Sequence, residues 1–297
     1  MHEIQILGRV DSCYNEKWGT PRQGKYGSKS LATINLNTNV FTKDELQTLE
    51  EYSHAILIFI FNLNKIKHSP KNVSLFFTTD IYFFGQNAKV TPPKIDNGGK
   101  MGCLATRSPH RPNPIGLTVC NIVKVDLYNM KIQVGNIDII DGTPIIEILP
   151  YSRQYSICAN LISTPSWVRP DKNKESINLN VYFSLAAFLD VSAVSHENRE
   201  KSNIHFFENG APSMNFNKLI GFIVETLNID PRSRYSKKKN DHRLFGIKLF
   251  NNFQLIYFHH EECIKVIRFL RIDNILIRGL NPRTSSWYNR ISNFIAL

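Results

Sequence analysis

Up to about residue 151, apolar and polar positions alternate in short runs separated by turn residues, the pattern of half-buried strands. EIQILGRV (3–10) predicts a first strand and LATINLN (31–37), which alternates most cleanly, a second. AILIFIFNL (55–63) and VSLFFTTDIYFFG (73–85) are rich in β-branched and aromatic residues and too short to prefer helix. GCLAT (102–106), LTVCNIVKVDLY (117–128), MKIQVGNID (130–138) and PIIEILPY (144–151) complete the set. Between them, Thr42 followed by Glu45 has the form of a capping box and predicts a short helix through Leu49. Several strands with one short helix predict an antiparallel β-barrel or strongly curved sheet, not a doubly wound α/β fold.

The pattern changes near Ser166. The stretch 166–215 mixes Asn, Lys, Ser and Glu with one apolar run, VYFSLAAFLDV, and reads as an insertion or linker with some local helix. From residue 216 a second unit begins. FNKLIGFIVETLNID (216–230) has helical spacing of Leu219, Ile220, Ile223, Val224 and Leu227. LFGIKLF (244–250) and FQLIYFHH (253–260) form a hairpin across Asn251-Asn252, and CIKVIRFLRI (263–272) adds a third strand. The expected organisation is a mainly β barrel domain over 1–165, the insertion over 166–215, and a small α+β domain over 216–297.

Composition narrows the function classes. The 297 residues are 42% hydrophobic and 21% charged, the profile of a folded globular chain. The longest apolar stretch, Ala55 to Phe61, falls far below the roughly 18 residues of a membrane-spanning helix. The N-terminus MHEIQILGRVD lacks a basic region followed by a long apolar one, so no signal peptide is read. The five cysteines are scattered, with no C-x-x-C pair, which argues against a disulfide framework or a zinc ribbon and for a reducing, cytoplasmic setting. Lys and Arg number 36 against 25 acidic residues, a net charge of +11 that favours a polyanionic partner. The basic residues gather late: seven lie between Arg232 and Lys248, opposed only by Asp241, with Tyr235 and Phe245 among them. Basic side chains contact phosphates and aromatic faces stack on unpaired bases, although a solvated basic face has the same composition.

The common catalytic signatures are absent. No G-x-G-x-x-G opens a helix after a strand, and there is no Walker loop, H-E-x-x-H or G-x-S-x-G. One segment stands apart: ATRSPHRPNPIGLT, residues 105–118. Pro109, Pro112 and Pro114 fix their own φ and restrict their predecessors, so Arg107, His110, Arg111 and Asn113 are presented on a stiff backbone. Rigidity combined with that many polar donors is what a binding loop needs.

This segment resembles the signature of the TrmO-like (TsaA-like) family, the tRNA N6-threonylcarbamoyladenosine methyltransferases. Thr20-Pro21-Arg22-Gln23 resembles the family's early P-R-Q loop, and Tyr52-Ser53-His54 its F-S-H strand. Asp141-Gly142-Thr143-Pro144, running on to Pro150-Tyr151, resembles its D-G-T-P element. Asp230-Pro231-Arg232 with Tyr235 resembles its C-terminal D-P-R-x-x-Y. The resemblance implies a non-Rossmann barrel that binds S-adenosylmethionine, a homodimer, and a C-terminal domain assisting tRNA recognition, with neither metal nor membrane involved. By position, the cofactor residues would be Pro21, Arg22, Gln23, Asn62, Leu63, Arg107, Leu117, Asp141, Gly142, Thr143 and Pro144.

Each position has a chemistry to offer. Arg22 or Arg107 can grip a carboxylate through two parallel bonds. Asp141 can accept from an ammonium or a ribose, or simply stabilise its own tight turn. Gly142 permits close backbone approach. Asn62 stands where the family often has histidine. The acceptor nitrogen of the substrate carries a fairly acidic proton, and His110 and Asp141 are both candidates to receive it. Arg111, Asn113, Lys94, Arg232 and Tyr235 are the substrate-binding candidates, while His54 buttresses a loop. Where the family has V-R-P-P-R, this chain has Thr91 and Lys94 in place of the two arginines; Lys94 keeps the charge but not the bidentate fork. A catalytically silent tRNA-binding protein and a methyltransferase with another acceptor are the competing readings.

Overall fold

The structure is a computed structural model, described here for residues 4–24, 27–40, 42–63, 89–92, 99–111, 113–155, 162–163, 165, 167, 179–196, 206–208, 211–213, 215–232, 244–250, 252–260 and 263–271. The chain divides into two units, one of Met1–Ser12 with Arg22–Glu175, the other of Cys13–Pro21 with Ser176–Leu297.

The first unit contains β1 (Gly8–Ser12), β2 (Leu31–Leu36), β3 (His54–Ile60), β4 (Lys89–Val90), β5 (Met101–Gly102), β6 (Ile115–Asp126), β7 (Lys131–Gly135) and β8 (Pro144–Pro150). Six of these close into an antiparallel barrel in the order β1-β2-β7-β6-β3-β8, with β8 returning to β1. The two-residue strands β4 and β5 pair with each other inside the long β3–β6 connection. The alternation read from the sequence becomes the barrel's inside and outside: Val10, Ile34, Leu57, Ile132, Val134 and Ile145 are all buried. Burying each such side chain contributes roughly 1.5–3 kcal/mol. Closure leaves no unpaired barrel edge.

Strand order also fixes which connections share an end. Because every neighbour is antiparallel, the β1–β2, β3–β6 and β7–β8 connections leave the barrel at one end. The β2–β3 connection and the β6–β7 turn lie at the other.

The second unit contains β9 (Asn180–Phe183), α1 (Leu185–His196), the hairpin β10 (Phe206–Glu208) and β11 (Ala211–Ser213), α2 (Phe216–Asn228), β12 (Leu244–Leu249), β13 (Phe253–His259) and β14 (Cys263–Arg271). Its sheet runs β12-β13-β14-β9, with β9 parallel to β14. Asn215 caps α2 by accepting from the Asn217 backbone N–H, and the helix buries Leu219, Phe222, Ile223 and Leu227. Asp190 on α1 takes two bonds from Arg268, at 2.7 and 3.1 Å, and a third from the Phe269 N–H. A short piece from near the N-terminus completes the unit. Tyr14 bridges to Leu249, packs its ring 5.8 Å from that of Phe222, and is fully buried.

Several local readings change. The helix expected from Thr42 to Leu49 is two 3-10 turns, Lys43–Leu46 and Leu49–Glu51. Its capping box is present, but Thr48 adopts φ 64, which no continuing helix allows. Of GCLAT, Gly102 is strand and Cys103–Ala105 a 3-10 turn. The β12–β13 hairpin pairs Leu249 with Phe253, enclosing three residues rather than two, because Phe250 turns left-handed at φ 50. The stretch expected as an insertion supplies β9 and α1 to the second unit. The strand expected over 73–85 lies outside the described residues.

Candidate functional site

The three connections at one barrel end carry the motifs. Arg22 and Gln23 lie in the β1–β2 connection; Asn62, Leu63, Arg107, His110, Arg111 and Asn113 in the β3–β6 connection; Asp141, Gly142 and Thr143 in the β7–β8 connection. Leu117 sits near the start of β6 and Pro144 opens β8. Pro21 and Arg232 belong to the other unit, while Lys94 and Tyr235 lie outside the described residues.

The D-G-T-P turn is sewn to β1. Asp141 Oδ1 accepts from the Ser12 backbone N–H at 2.9 Å, and the Gly142 N–H donates to the Val10 carbonyl at 2.8 Å. The Val10 N–H donates to the Thr143 carbonyl at 3.1 Å, and the Thr143 hydroxyl to the Ile140 carbonyl at 2.6 Å. Gly142 has φ +74, and a Cβ built there would meet nothing within 4 Å. That glycine therefore supplies a left-handed turn and an open approach to the backbone at once. Asp141 fills the turn-stabilising role with one of its two oxygens.

The proline-rich loop braces itself. Arg111 donates through Nη1 to the Thr106 carbonyl at 2.6 Å, the Ser108 N–H to the Thr106 hydroxyl at 3.3 Å, and the His110 N–H to the Ser108 hydroxyl at 3.2 Å. Arg111 thus spends part of its fork on the loop. Arg107 reaches out of the loop, its Nη2 donating to the Leu117 carbonyl. The Pro114 carbonyl accepts from Phe61 at 2.8 Å, which brings Asn62 and Leu63 beside the end of the loop. At the far end of β3, His54 shares its Nδ1 with the Ser53 hydroxyl at 2.8 Å and meets the Tyr151 ring edge-on at 6.5 Å, a buttressing role.

A residue outside the sequence-derived set stands among these segments. Asp138 lies near Thr118 and near Gly24, the residue after Gln23, whose hydroxyl and backbone N–H favour its charged form. Its Oδ1 is buried without a hydrogen-bond partner. Burial pushes this carboxyl above the usual carboxylate range, against the lowering effects of those donors and of the nearby Arg107 charge. Close by, burial pushes the Cys120 thiol up to about 12, so it stays protonated. Alternation conceals Asp138 in the sequence: flanked by the buried Ile137 and Ile139, it reads as the solvent face of a strand. A charge inside an apolar run was the one available signal.

In the second unit, Arg232 is bound by Asp230 at 2.8 and 3.0 Å and lies 5.8 Å from the centre of the Phe245 ring. Its side chain is 11% exposed. The D-P-R element thus closes on itself. Burial holds Tyr257, stacked on Phe245, far above the usual phenol range. Among the described residues, no group of three or more His, Cys, Asp and Glu side chains could hold a metal, and no helix is long and apolar enough to cross a membrane.

A crystal structure of TrmO from Pseudomonas aeruginosa superposes with a TM-score of 0.63, covering 91% of this chain and 99% of that one at 20% identity. Residues 9–156 match the model of the tRNA-methyltransferase O N-terminal domain, so this part of the chain is a domain of the TrmO-like family. A tRNA (adenine(37)-N6)-methyltransferase of Mus musculus is 39% identical over 157 residues, 52% of this chain and 32% of that protein. A Pseudomonas aeruginosa protein, described as a candidate S-adenosylmethionine-dependent methyltransferase, is 33% identical over 50% of this chain and 55% of its own length. The chain thus spans about a third to a half of the curated relatives it matches.

Proposed function

We propose that the protein is an S-adenosylmethionine-dependent tRNA methyltransferase, methylating N6 of N6-threonylcarbamoyladenosine beside the anticodon. The observation that carries this reading is topological: strand order gathers Arg22 and Gln23, the described residues of the proline-rich loop, and the D-G-T-P turn at one end of the barrel. The residues there fit the cofactor. Arg22 and Gln23 are exposed, Arg107 keeps donors beyond the one it gives Leu117, and Asp141 keeps its second oxygen. Open space over Gly142 admits a ligand against the backbone of Asp141–Thr143. When bound, S-adenosylmethionine supplies an electrophilic methyl group. Arg22 or Arg107 would hold its carboxylate, and Asp141 its ammonium or ribose. Asn62, Leu63, Leu117 and Pro144 would complete the cofactor contacts.

The protein's share of the reaction is mostly positioning. The substrate's N6–H lies between a purine and a carbonyl, so the proton is acidic and leaves readily to His110 or Asp141. Arg111 and Asn113 would orient the threonyl carboxylate from the braced loop. The net charge of +11 favours approach of the polyanionic tRNA. A homodimer is supported by the outer face of β6, where Ile115, Leu117 and Val119 are 40%, 46% and 38% exposed, and by Leu149 nearby on β8.

The test is incubation with labelled S-adenosylmethionine and tRNA carrying or lacking the threonylcarbamoyl group, followed by nucleoside mass analysis. Methyl transfer that requires the threonylcarbamoyl group is the expected result. Cofactor binding without transfer would point to another acceptor; neither binding nor transfer would leave a tRNA-binding protein. Light scattering at micromolar concentration reads the oligomeric state.

A further inference from the structure

We infer that Ser30 is a positioning residue: its buried hydroxyl ties the connection that carries Arg22 and Gln23 to the one that carries the D-G-T-P turn. The inference rests on the cofactor reading above, which assigns residues in both connections and gives Ser30 no role. Ser30 stands just before β2 and is fully buried. Its hydroxyl lies 2.6 Å from the Gly27 carbonyl oxygen and 3.0 Å from that of Ile137, so one proton serves two acceptors. The same oxygen accepts from the Ile137 N–H at 2.8 Å. The Ser30 backbone N–H donates to the Gly27 carbonyl at 2.9 Å, and the Gly27 N–H to the Gly24 carbonyl at 2.8 Å. Two backbone bonds therefore link Ser30 back to Gly24, the residue after Gln23. Gly24 itself lies against the second connection: a Cβ there would stand 2.0 Å from the Asn136 carbonyl oxygen.

The need for a hydroxyl there follows from where the strand ladder stops. β2 and β7 pair as far as Leu31 with Gly135, and the Asn136 N–H adds one more bond, 3.2 Å to the Ser30 carbonyl. Asn136 then turns left-handed at φ 57 and takes the chain off the strand. Ile137, next in line, is fully buried, so its peptide groups must find partners within the protein. The Ser30 hydroxyl meets both its N–H and its carbonyl. A serine that only closed its own turn would bond Gly27 and stop there. This one also reaches a residue 107 positions along the chain. Asp141 follows four residues after Ile137, with Ile139 buried between them. A shift at Ile137 is thereby passed to the D-G-T-P turn, and a shift at Gly27 to Arg22 and Gln23.

The test compares the wild-type protein with Ser30→Ala and with Ser30→Cys, which is close to serine in volume but a weak hydrogen-bonding group. Calorimetry reads S-adenosylmethionine affinity and stoichiometry, and amide exchange without ligand reads Gly27 and Ile137. In both variants affinity is expected to fall about 10-fold at unchanged stoichiometry, the worth of a buried bond lost. The Gly27 and Ile137 amides should exchange faster in parallel. A serine needed for folding alone would instead lower the stoichiometry and leave the affinity of the remaining sites unchanged, which would overturn the inference. Wild-type affinity in Ser30→Cys would trace the alanine effect to a void and overturn it equally. Should neither variant fold, the wild type decides: bound S-adenosylmethionine should slow exchange at Gly27 and Ile137 together, and slowing at one alone would refute the tie. A wild type that binds no S-adenosylmethionine would sink the cofactor reading, and exchange at Gly27 and Ile137 in the variants would still decide the tie.

Discussion

The two ends of the barrel handle their carboxylates in opposite ways. At one end, Asp126 closes the β6–β7 turn, accepting from the Tyr128 and Asn129 N–H groups at 3.1 and 2.9 Å and from the Asn129 amide at 2.8 Å. Those bonds, chiefly from Asn129, pull its carboxyl below the usual range. Glu45 at the same end is lowered in like manner by its capping partner Thr42. At the other end, Asp138 is raised by burial and keeps an unbonded oxygen. One end is locally satisfied and serves stability; the other holds a buried carboxylate oxygen whose partner the fold does not supply, as sites for ligands do.

The largest effect expected from this contrast is at Arg107. Replacing it by alanine should weaken S-adenosylmethionine binding about 100-fold, near 3 kcal/mol for a charge-assisted grip, with little change in melting temperature. Comparable loss of both would make Arg107 a loop brace. Next is Gly142→Ala. The left-handed φ of +74 costs an alanine roughly 1 kcal/mol in stability, and the new methyl enters the space over the turn. Cofactor affinity should fall by more than that strain explains, read by comparing calorimetry with denaturant unfolding.

The third prediction inverts the usual sign. The folded carboxyl of Asp138 is raised, so its stability contribution is full below the unfolded pKa and lost as pH rises through the folded one. Asp138→Asn should therefore melt above the wild type at pH 8, with the gap closing as the pH falls. A residue kept for the fold would show the opposite. Asp126 has a lowered carboxyl, so its contribution is present above the unfolded pKa and lost as pH falls through the folded value. Asp126→Ala should cost about 0.5 kcal/mol in unfolding, this being an exposed turn. Its cofactor affinity should match the wild type.

Much of this contrast was visible in the alternating runs. The inward faces of β2, β3 and β6 follow the period-two pattern, and α2 follows its helical spacing. The three motifs were readable because each joins rare residue types at fixed spacing, but nothing local in the chain says that they share an end. That comes from strand order, a non-local property. β9 was missed for the same reason, since its partner β14 lies some eighty residues later and pairs in parallel. α1 was legible only as some local helix without bounds, because apolar residues occur on its exposed side, with Leu185, Phe188 and Leu189 all exposed, and blur the helical stripe. The loose ends of the hairpin and the capped turn trace to single residues, Phe250 and Thr48, with positive φ that neither residue type announces. Arg232, expected at the substrate, has an ion-pair partner in Asp230 two positions away that the spacing alone did not announce.

The piece Cys13–Pro21, counted with the second unit, sets the order in which that unit can mature on the ribosome. Tyr14 leaves the ribosomal tunnel early, yet its partners Phe222 and Leu249 are made more than two hundred residues later. At roughly 5–20 residues per second, that buried tyrosine waits at least ten seconds for its surroundings. A truncation that starts the second unit at Ser176 omits the segment altogether, so dissecting this protein by a single cut breaks the unit it means to isolate.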